Sequence, residues 1–122
     1  VSSARADGVR ALYQSFNERD LDAVLATMAP DVDWPNGWEG GRLLGRDQVA
    51  DYWRRQWREI RPTTVVGAID ERADGTVEAR VRIVVRDLGG TVLARSDVTH
   101  VYEFDGPHVR RMTVEEGAAG RS

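Results

Sequence analysis

The second half of the chain reads as strand with only three interruptions, and those interruptions constrain the fold more than any other feature. Residues 64–71, 76–87, 91–104 and 108–115 are rich in Val, Ile and Thr, and Asp74-Gly75, Gly89-Gly90 and Asp105-Gly106-Pro107 separate them. Turns this short join only antiparallel neighbours, since a parallel crossover needs about a dozen residues or more. The four segments are therefore expected to form a meander. Side-chain alternation sets its faces. Across Gly89-Gly90, residues whose numbers sum to about 179 stand opposite one another, so Ala79 meets His100 and Arg82 meets Asp97. Val77, Ala79, Val81, Ile83 and Val85 share the core face with Ser96, Val98, His100, Tyr102 and Phe104. Glu78, Arg80, Arg82 and Arg86 share the outer face with Arg95, Asp97, Thr99 and Glu103, and Arg82 with Asp97 reads as a cross-strand ion pair.

Three helical patterns precede the sheet. Val9, Leu12, Tyr13 and Phe16 fall at i, i+3, i+4 and i+7, closed by Asn17-Glu18-Arg19. Residues 1–8 are small and polar, a frayed lead-in. Asp20 is a good N-cap for a second helix with Leu21, Val24, Leu25 and Met28 inward, stopped by Pro30. Asp31 to Trp34 alternates as a short strand, Pro35-Asn36-Gly37 breaks it, and Gly40-Gly41 marks a loop. From about Arg46, a third helix aligns Val49, Tyr52, Trp53, Gln56, Trp57 and Ile60 on one face, with charged residues opposite and Arg61-Pro62 at its end. The whole reads as one domain over residues 9–116, with a tail at 117–122.

Composition removes several chemistries. The 122-residue chain has room for a single core. It has no cysteine, which excludes thiol nucleophiles, disulfides and thiolate metal sites. It has no lysine either, so no ε-amine is present to form a Schiff base. The net charge of −3 and scattered arginines argue against a nucleic-acid face, and no phosphate-binding glycine motif appears. No apolar run approaches the roughly 18 residues of a membrane span, and no signal-peptide pattern opens the chain. A cytoplasmic protein without cofactor is expected. His100 and His108 make a poor metal pair, because strand register separates them and no carboxylates accompany them.

Helix, helix, short strand, helix and four-stranded meander, in that order, resemble the nuclear-transport-factor-2-like superfamily, which includes ketosteroid isomerases and SnoaL-like polyketide cyclases. The resemblance covers roughly residues 8–116. Asn17-Glu18-Arg19-Asp20-Leu21-Asp22 looks like the family's junction between the first two helices. Gly45-Arg46-Asp47-Gln48-Val49 looks like its third-helix start, and Tyr102-Glu103-Phe104-Asp105-Gly106 like its last hairpin. The resemblance implies an α+β, cone-shaped fold: three N-terminal helices packed on a curved, mainly antiparallel sheet, open at one end to a ligand. Carried over residue by residue, the family's catalytic positions hold other residue types. The isomerases' aspartate base falls on Asn36, and their oxyanion-binding tyrosine on Leu12, with Tyr13 one residue off and turned by about 100°. Their protonated aspartate falls on His100. The cyclases' aspartate falls near Val114, and the Arg-x-Asp of limonene-epoxide-hydrolase-like enzymes reads Arg80-Val81-Arg82.

His100 is the leading catalytic candidate. It lies on the core face with Ala79 expected on one side and Met112 on the other, where apolar neighbours favour the neutral ring. A histidine of that kind suits acid–base work; a buried histidine held by Tyr13, Asn36 or Gln56 is the competing reading. Asn36, the second catalytic candidate, can orient a water or a substrate carbonyl, although Pro-Asn-Gly is equally a plain turn. Tyr13, Phe16, Trp34, Trp38, Gln56 and Met112 are expected to contact a ligand. The resemblance adds Tyr52 and Trp53, which match positions lining the pocket from the third helix. Asp33 is expected to face outward; Glu39 and Arg42 either close the mouth or are solvated.

Two readings follow. One is a cofactor-free enzyme moving a proton on an apolar carbonyl or polycyclic substrate, of isomerase, cyclase or dehydratase type. The other is a non-catalytic ligand-binding or accessory protein; a purely structural dimerisation module fits the aromatic stripe less well. The expected partners are a small apolar or aromatic ligand and a second copy of the chain. The second copy would pair through the outer sheet face of Arg80, Arg82, Val84, Val101, Glu103 and Arg111.

Overall fold

The meander forms, and two further strands extend it beyond what the turn signals indicated. A computed structural model describes residues 3–116. Its elements are α1 (Ala4–Asn17), α2 (Leu21–Ala26), β1 (Met28–Pro35), β2 (Arg42–Leu44), α3 (Arg46–Trp57), β3 (Ile60–Glu71), β4 (Val77–Asp87), β5 (Val92–Asp105) and β6 (His108–Glu116). The six strands form one curved sheet in the order β2-β1-β6-β5-β4-β3. Every neighbouring pair is antiparallel except β1 with β6. α1 packs on β3 and β4, and α3 on β1, β2 and β3, so the helices cover the inner face.

The β4–β5 register follows the alternation: Ala79 is paired with His100 and Arg82 with Asp97. Arg82 Nε and Asp97 Oδ1 lie 2.8 Å apart on the outer face. The β5–β6 register differs from expectation. His100 is paired with Val114, and Met112 with Tyr102. The turn that sets Asp105 against His108 accounts for one residue of this shift, and a bulge between Glu103 and Phe104, which leaves Arg110 without a partner strand residue, adds a second. Met112 therefore still faces inward.

Several boundaries move, each for a local reason. α1 begins at Ala4, because Ser3 caps it by accepting from Ala6 N at 2.9 Å. Residues 3–8 are thus its cap and first turn rather than a frayed lead-in, while the expected tail at 117–122 lies outside the described residues. Arg5 holds this end of the helix to two hairpin turns, donating to Gly75 O (2.9 Å) and Gly106 O (3.1 Å). Gly75 has φ +87°, and a Cβ there would meet the Arg5 guanidinium at 2.7 Å.

α2 ends at Ala26, not at Met28 or Pro30. Val109 N donates to Thr27 O at 2.8 Å, drawing the chain onto β6, and Met28 opens β1 as a fully buried strand residue. Ala29 is held extended by the proline that follows it. α3 stops at Trp57, and the strand that follows starts at Ile60, with Pro62 inside it. Pro62 is tolerated because β3 is an edge strand with one neighbour. β2 is too short to leave a pattern. Asp33 nevertheless faces outward as expected, its carboxylate shared by Arg42 (2.7 Å) and Arg111 (2.8 Å) across three strands. No helix among the described residues is long and apolar enough to cross a membrane.

One side chain fastens the end of α1 to the sheet. Asn17 accepts from Thr64 N (2.8 Å) and Thr64 Oγ1 (2.9 Å) and donates to Thr64 O (2.9 Å). Thr64 is buried, so its backbone has no water to fall back on. Asn17→Ala is expected to lower the urea-unfolding free energy by about 1–3 kcal/mol, and Asn17→Asp, which keeps the acceptor, by less.

Candidate functional site

Between α1, α3 and the inner sheet face lies a cavity of about 300 Å³. Its walls are mostly aromatic for reasons already present in the helix patterns. The inward stripe of α3 delivers Tyr52, Trp53 and Gln56, and that of α1 delivers Leu12, Tyr13 and Phe16. Trp34 enters from β1. Trp53 centres the wall, edge-on to Phe16 at 5.3 Å and to Trp34 at 5.6 Å, and stacked on Trp57 at 5.9 Å. Gln56 Nε2 donates to Tyr52 Oη at 3.1 Å. Burial raises the Tyr52 phenol, which stays neutral.

Within this apolar enclosure runs a chain of three polar groups. Tyr102 is 0% exposed, and its hydroxyl meets the Tyr13 hydroxyl at 2.7 Å. The Tyr13 hydroxyl meets His100 Nδ1, also at 2.7 Å. Tyr102 has no other partner among the described residues, so its proton goes to Tyr13, whose own proton goes to Nδ1. His100 is thereby held as the neutral tautomer protonated on Nε2. Nε2 itself has no hydrogen-bond partner among the described residues, and the ring lines the cavity. Burial lowers His100 to about 4 and raises both tyrosines, so none of the three is charged at neutral pH. The His100 ring thus presents an oriented N–H donor to the cavity. Among the described residues its lining includes no Asp or Glu.

The structure brings Tyr13, Phe16, Trp34, Tyr52, Trp53, Gln56, His100 and Met112 together around this space. Tyr13 takes the central position although it was one residue off the family's tyrosine; the buried face of α1 is wide enough to turn both Leu12 and Tyr13 inward. Asn36 is a correction. Its Oδ1 accepts from Trp38 N (3.2 Å) and Glu39 N (2.8 Å), and its Nδ2 donates to Glu39 Oε1 (3.1 Å). Both ends of the amide are engaged in the turn, and Asn36 does not line the cavity. Trp38 is also displaced, 37% exposed and packed against the outer edge of Tyr52 at 6.3 Å. Glu39 clasps Arg55 of α3 at 2.6 Å, and Arg42 donates to Met112 O at 2.7 Å, so both tie the loop down instead of closing a mouth. Tyr102 was read only as core; its placement two residues from His100 on the same strand face was the available signal. Among the described residues no group of three potential metal ligands occurs.

Helices laid over a curved sheet around an aromatic cavity, with a polar group at its inner wall, define a cone-shaped fold. Residues 9–112 match the model of the SnoaL-like domain, and the chain belongs to that family. Among curated proteins nothing matches. An NTF2-like protein of unknown function from Burkholderia pseudomallei is 25% identical with a TM-score of 0.81, over 98% of this chain and 95% of that one. TerC co-crystallised with polyporic acid is similar at 24% identity and TM-score 0.80, over 97% and 95%. A Mycobacterium tuberculosis protein in complex with estradiol-17β-hemisuccinate shares the fold at 14% identity and TM-score 0.82, over 97% of each chain.

The polar chain has two measurable consequences. Tyr13→Phe strands the buried Tyr102 donor and the Nδ1 acceptor together, whereas Tyr102→Phe removes one hydroxyl and leaves Tyr13 bonded to His100. Tyr13→Phe is therefore expected to cost about 2–4 kcal/mol in urea unfolding and Tyr102→Phe about 1 kcal/mol. The second concerns pH. With a folded value of about 4 against 6.5 in an exposed ring, the unfolded chain takes up a proton that the folded chain refuses. This contribution to stability is complete above pH 6.5 and is lost as pH falls toward 4, by at most about 3 kcal/mol. Urea midpoints measured from pH 7 to 4 should fall more steeply for wild type than for His100→Gln.

Proposed function

We propose that the cone binds a compact, largely apolar molecule by enclosing its rings against Trp34, Trp53 and Phe16 while a carbonyl oxygen accepts from His100 Nε2–H. The oriented Nε2–H carries this reading, as a fixed donor in a mostly apolar and aromatic enclosure. A small-molecule complex of TerC and one of the Mycobacterium tuberculosis protein, on the same fold, support a ligand in the cone.

The geometry favours polarisation of a carbonyl over removal of a proton. Neutral imidazole with a value near 4 is a weak base at pH 7, yet it donates a hydrogen bond without losing charge to solvent. The Tyr13–Tyr102 chain ends at a fully buried phenol, so it orients the ring and conducts no proton onward. Polarising a carbonyl stabilises the enol that isomerases and cyclases form. No carboxylate lines the cavity to take the α-proton, which favours a binding or accessory role over turnover. A second copy of the chain remains a proposal too; the outer sheet face around Arg82 and Asp97 offers both signs of charge to a two-fold partner.

Fluorenone and fluorene form a matched probe pair differing in the carbonyl. Tryptophan emission is expected to report tighter binding of fluorenone by about tenfold, and its bound carbonyl stretch to shift to lower frequency. Both differences should vanish in His100→Phe. Equal binding of the two probes by wild type would overturn the assigned donor. Deuterium exchange at the α-carbon of a bound enolisable ketone, abolished in His100→Phe, would restore the catalytic reading.

A further inference from the structure

Where α1 and α3 end, two arginines meet at Trp57 without a carboxylate. Arg19 follows the last turn of α1, its guanidinium 5.5 Å from the ring of cavity-lining Phe16 and 5.4 Å from that of Trp57. Arg61 is the exposed second residue of β3 and reaches back to the end of α3 at Trp57. Neither forms an ion pair among the described residues. Each uses only Nη1, Arg19 toward Phe16 O at 3.2 Å and Arg61 toward Trp57 O and Ile60 O. The Nε and Nη2 donors of both remain open.

Two observations set this pair apart from ordinary helix capping. Arg19 has φ +62°, the one non-glycine residue among those described in the left-handed region. It occupies the position after the α1 C-cap, where Asp20 N donates to Ser15 O at 2.9 Å and glycine is the residue without strain. Trp57 Nε1, in the ring that Arg19 covers, is sealed from solvent and cavity and lacks a partner among the described residues. Burial and the nearby Arg61 both lower Arg19.

We infer that Arg19 and Arg61 form an anion subsite on the rim of the cavity, which selects ligands whose apolar carbonyl-bearing body ends in a carboxylate. The inference rests on the proposed ligand-binding reading and narrows its ligand class to amphipathic acids. A planar guanidinium matches a carboxylate with two parallel hydrogen bonds, and two such cations beside aromatic rings are poorly screened by water.

The test is calorimetric titration with fluorenone, a fluorenone bearing a carboxylate on a short alkyl tether, and the methyl ester of that acid. Wild type is expected to bind the acid about tenfold more tightly than the ester at low salt, a ratio that narrows at high salt. Arg61→Gln and Arg19→Gly should each bring the ratio to about one. Arg19→Gly also relieves the left-handed strain, so its urea midpoint should equal or exceed that of wild type. A guanidinium serving only as a cap predicts the reverse: a lowered midpoint and an unchanged ratio. A ratio of one in wild type, or a tenfold ratio in both variants, would overturn the subsite. If fluorenone and both derivatives fail to bind, the enclosed-ligand reading falls by itself. Hexanoate then decides the subsite: tryptophan emission altered in wild type but not in Arg19→Gly supports it, and no change in either overturns it.

Discussion

A phenol with nowhere else to send its proton organises the interior of this protein. Tyr102 is sealed within the core, so its hydroxyl must donate to Tyr13, and Tyr13 must then donate to His100. Three protons are placed by that single constraint. It sets the histidine tautomer and leaves Nε2–H facing the cavity, while burial keeps the ring neutral. It also links α1 to β5, elements far apart in sequence, through two hydrogen bonds in surroundings where their loss is costly.

Around that chain the cone separates its chemistry by depth. The inner wall is aromatic and uncharged, built from α1, α3 and β1. The carboxylates are placed elsewhere. Asp33 holds β1, β2 and β6 together from the outside, Glu39 fastens the loop onto α3, and Asp97 pairs across the outer sheet face. Positive charge gathers where α1 and α3 end, with Arg19 over the rings of Phe16 and Trp57 and Arg61 donating to Trp57 O.

Much of the scaffold was legible because its signals are local. Asp74-Gly75, Gly89-Gly90 and Asp105-Gly106-Pro107 forced antiparallel pairing, and period-two alternation then set Ala79 against His100. The α3 stripe correctly turned Tyr52, Trp53 and Gln56 inward. Errors arose where a distant strand competed with a local pattern. Met28 fits the α2 stripe, but pairing with β6 draws it into β1. Ile60 extends the α3 periodicity, but β4 claims it for β3. Asn36 puts an amide where the family has its aspartate base, and its neighbours Trp38 and Glu39 engage both ends of that amide.

By itself the sequence determined the class of fold, the inner and outer faces of the meander and the absence of thiol and amine chemistry. Each follows from residue identity, turn length and a fixed side-chain period. Only the tertiary structure decided what His100 does. Its tautomer depends on Tyr13 and Tyr102, one across the cavity and one along the strand, and no spacing rule connects a helix hydroxyl to a strand imidazole. The approach of Arg19 and Arg61 to Trp57 is of the same kind, since two helix ends meet there only after the chain has folded. Hydrogen bonds and charge clusters act over a few ångströms in space, and the chain brings those residues together only by folding.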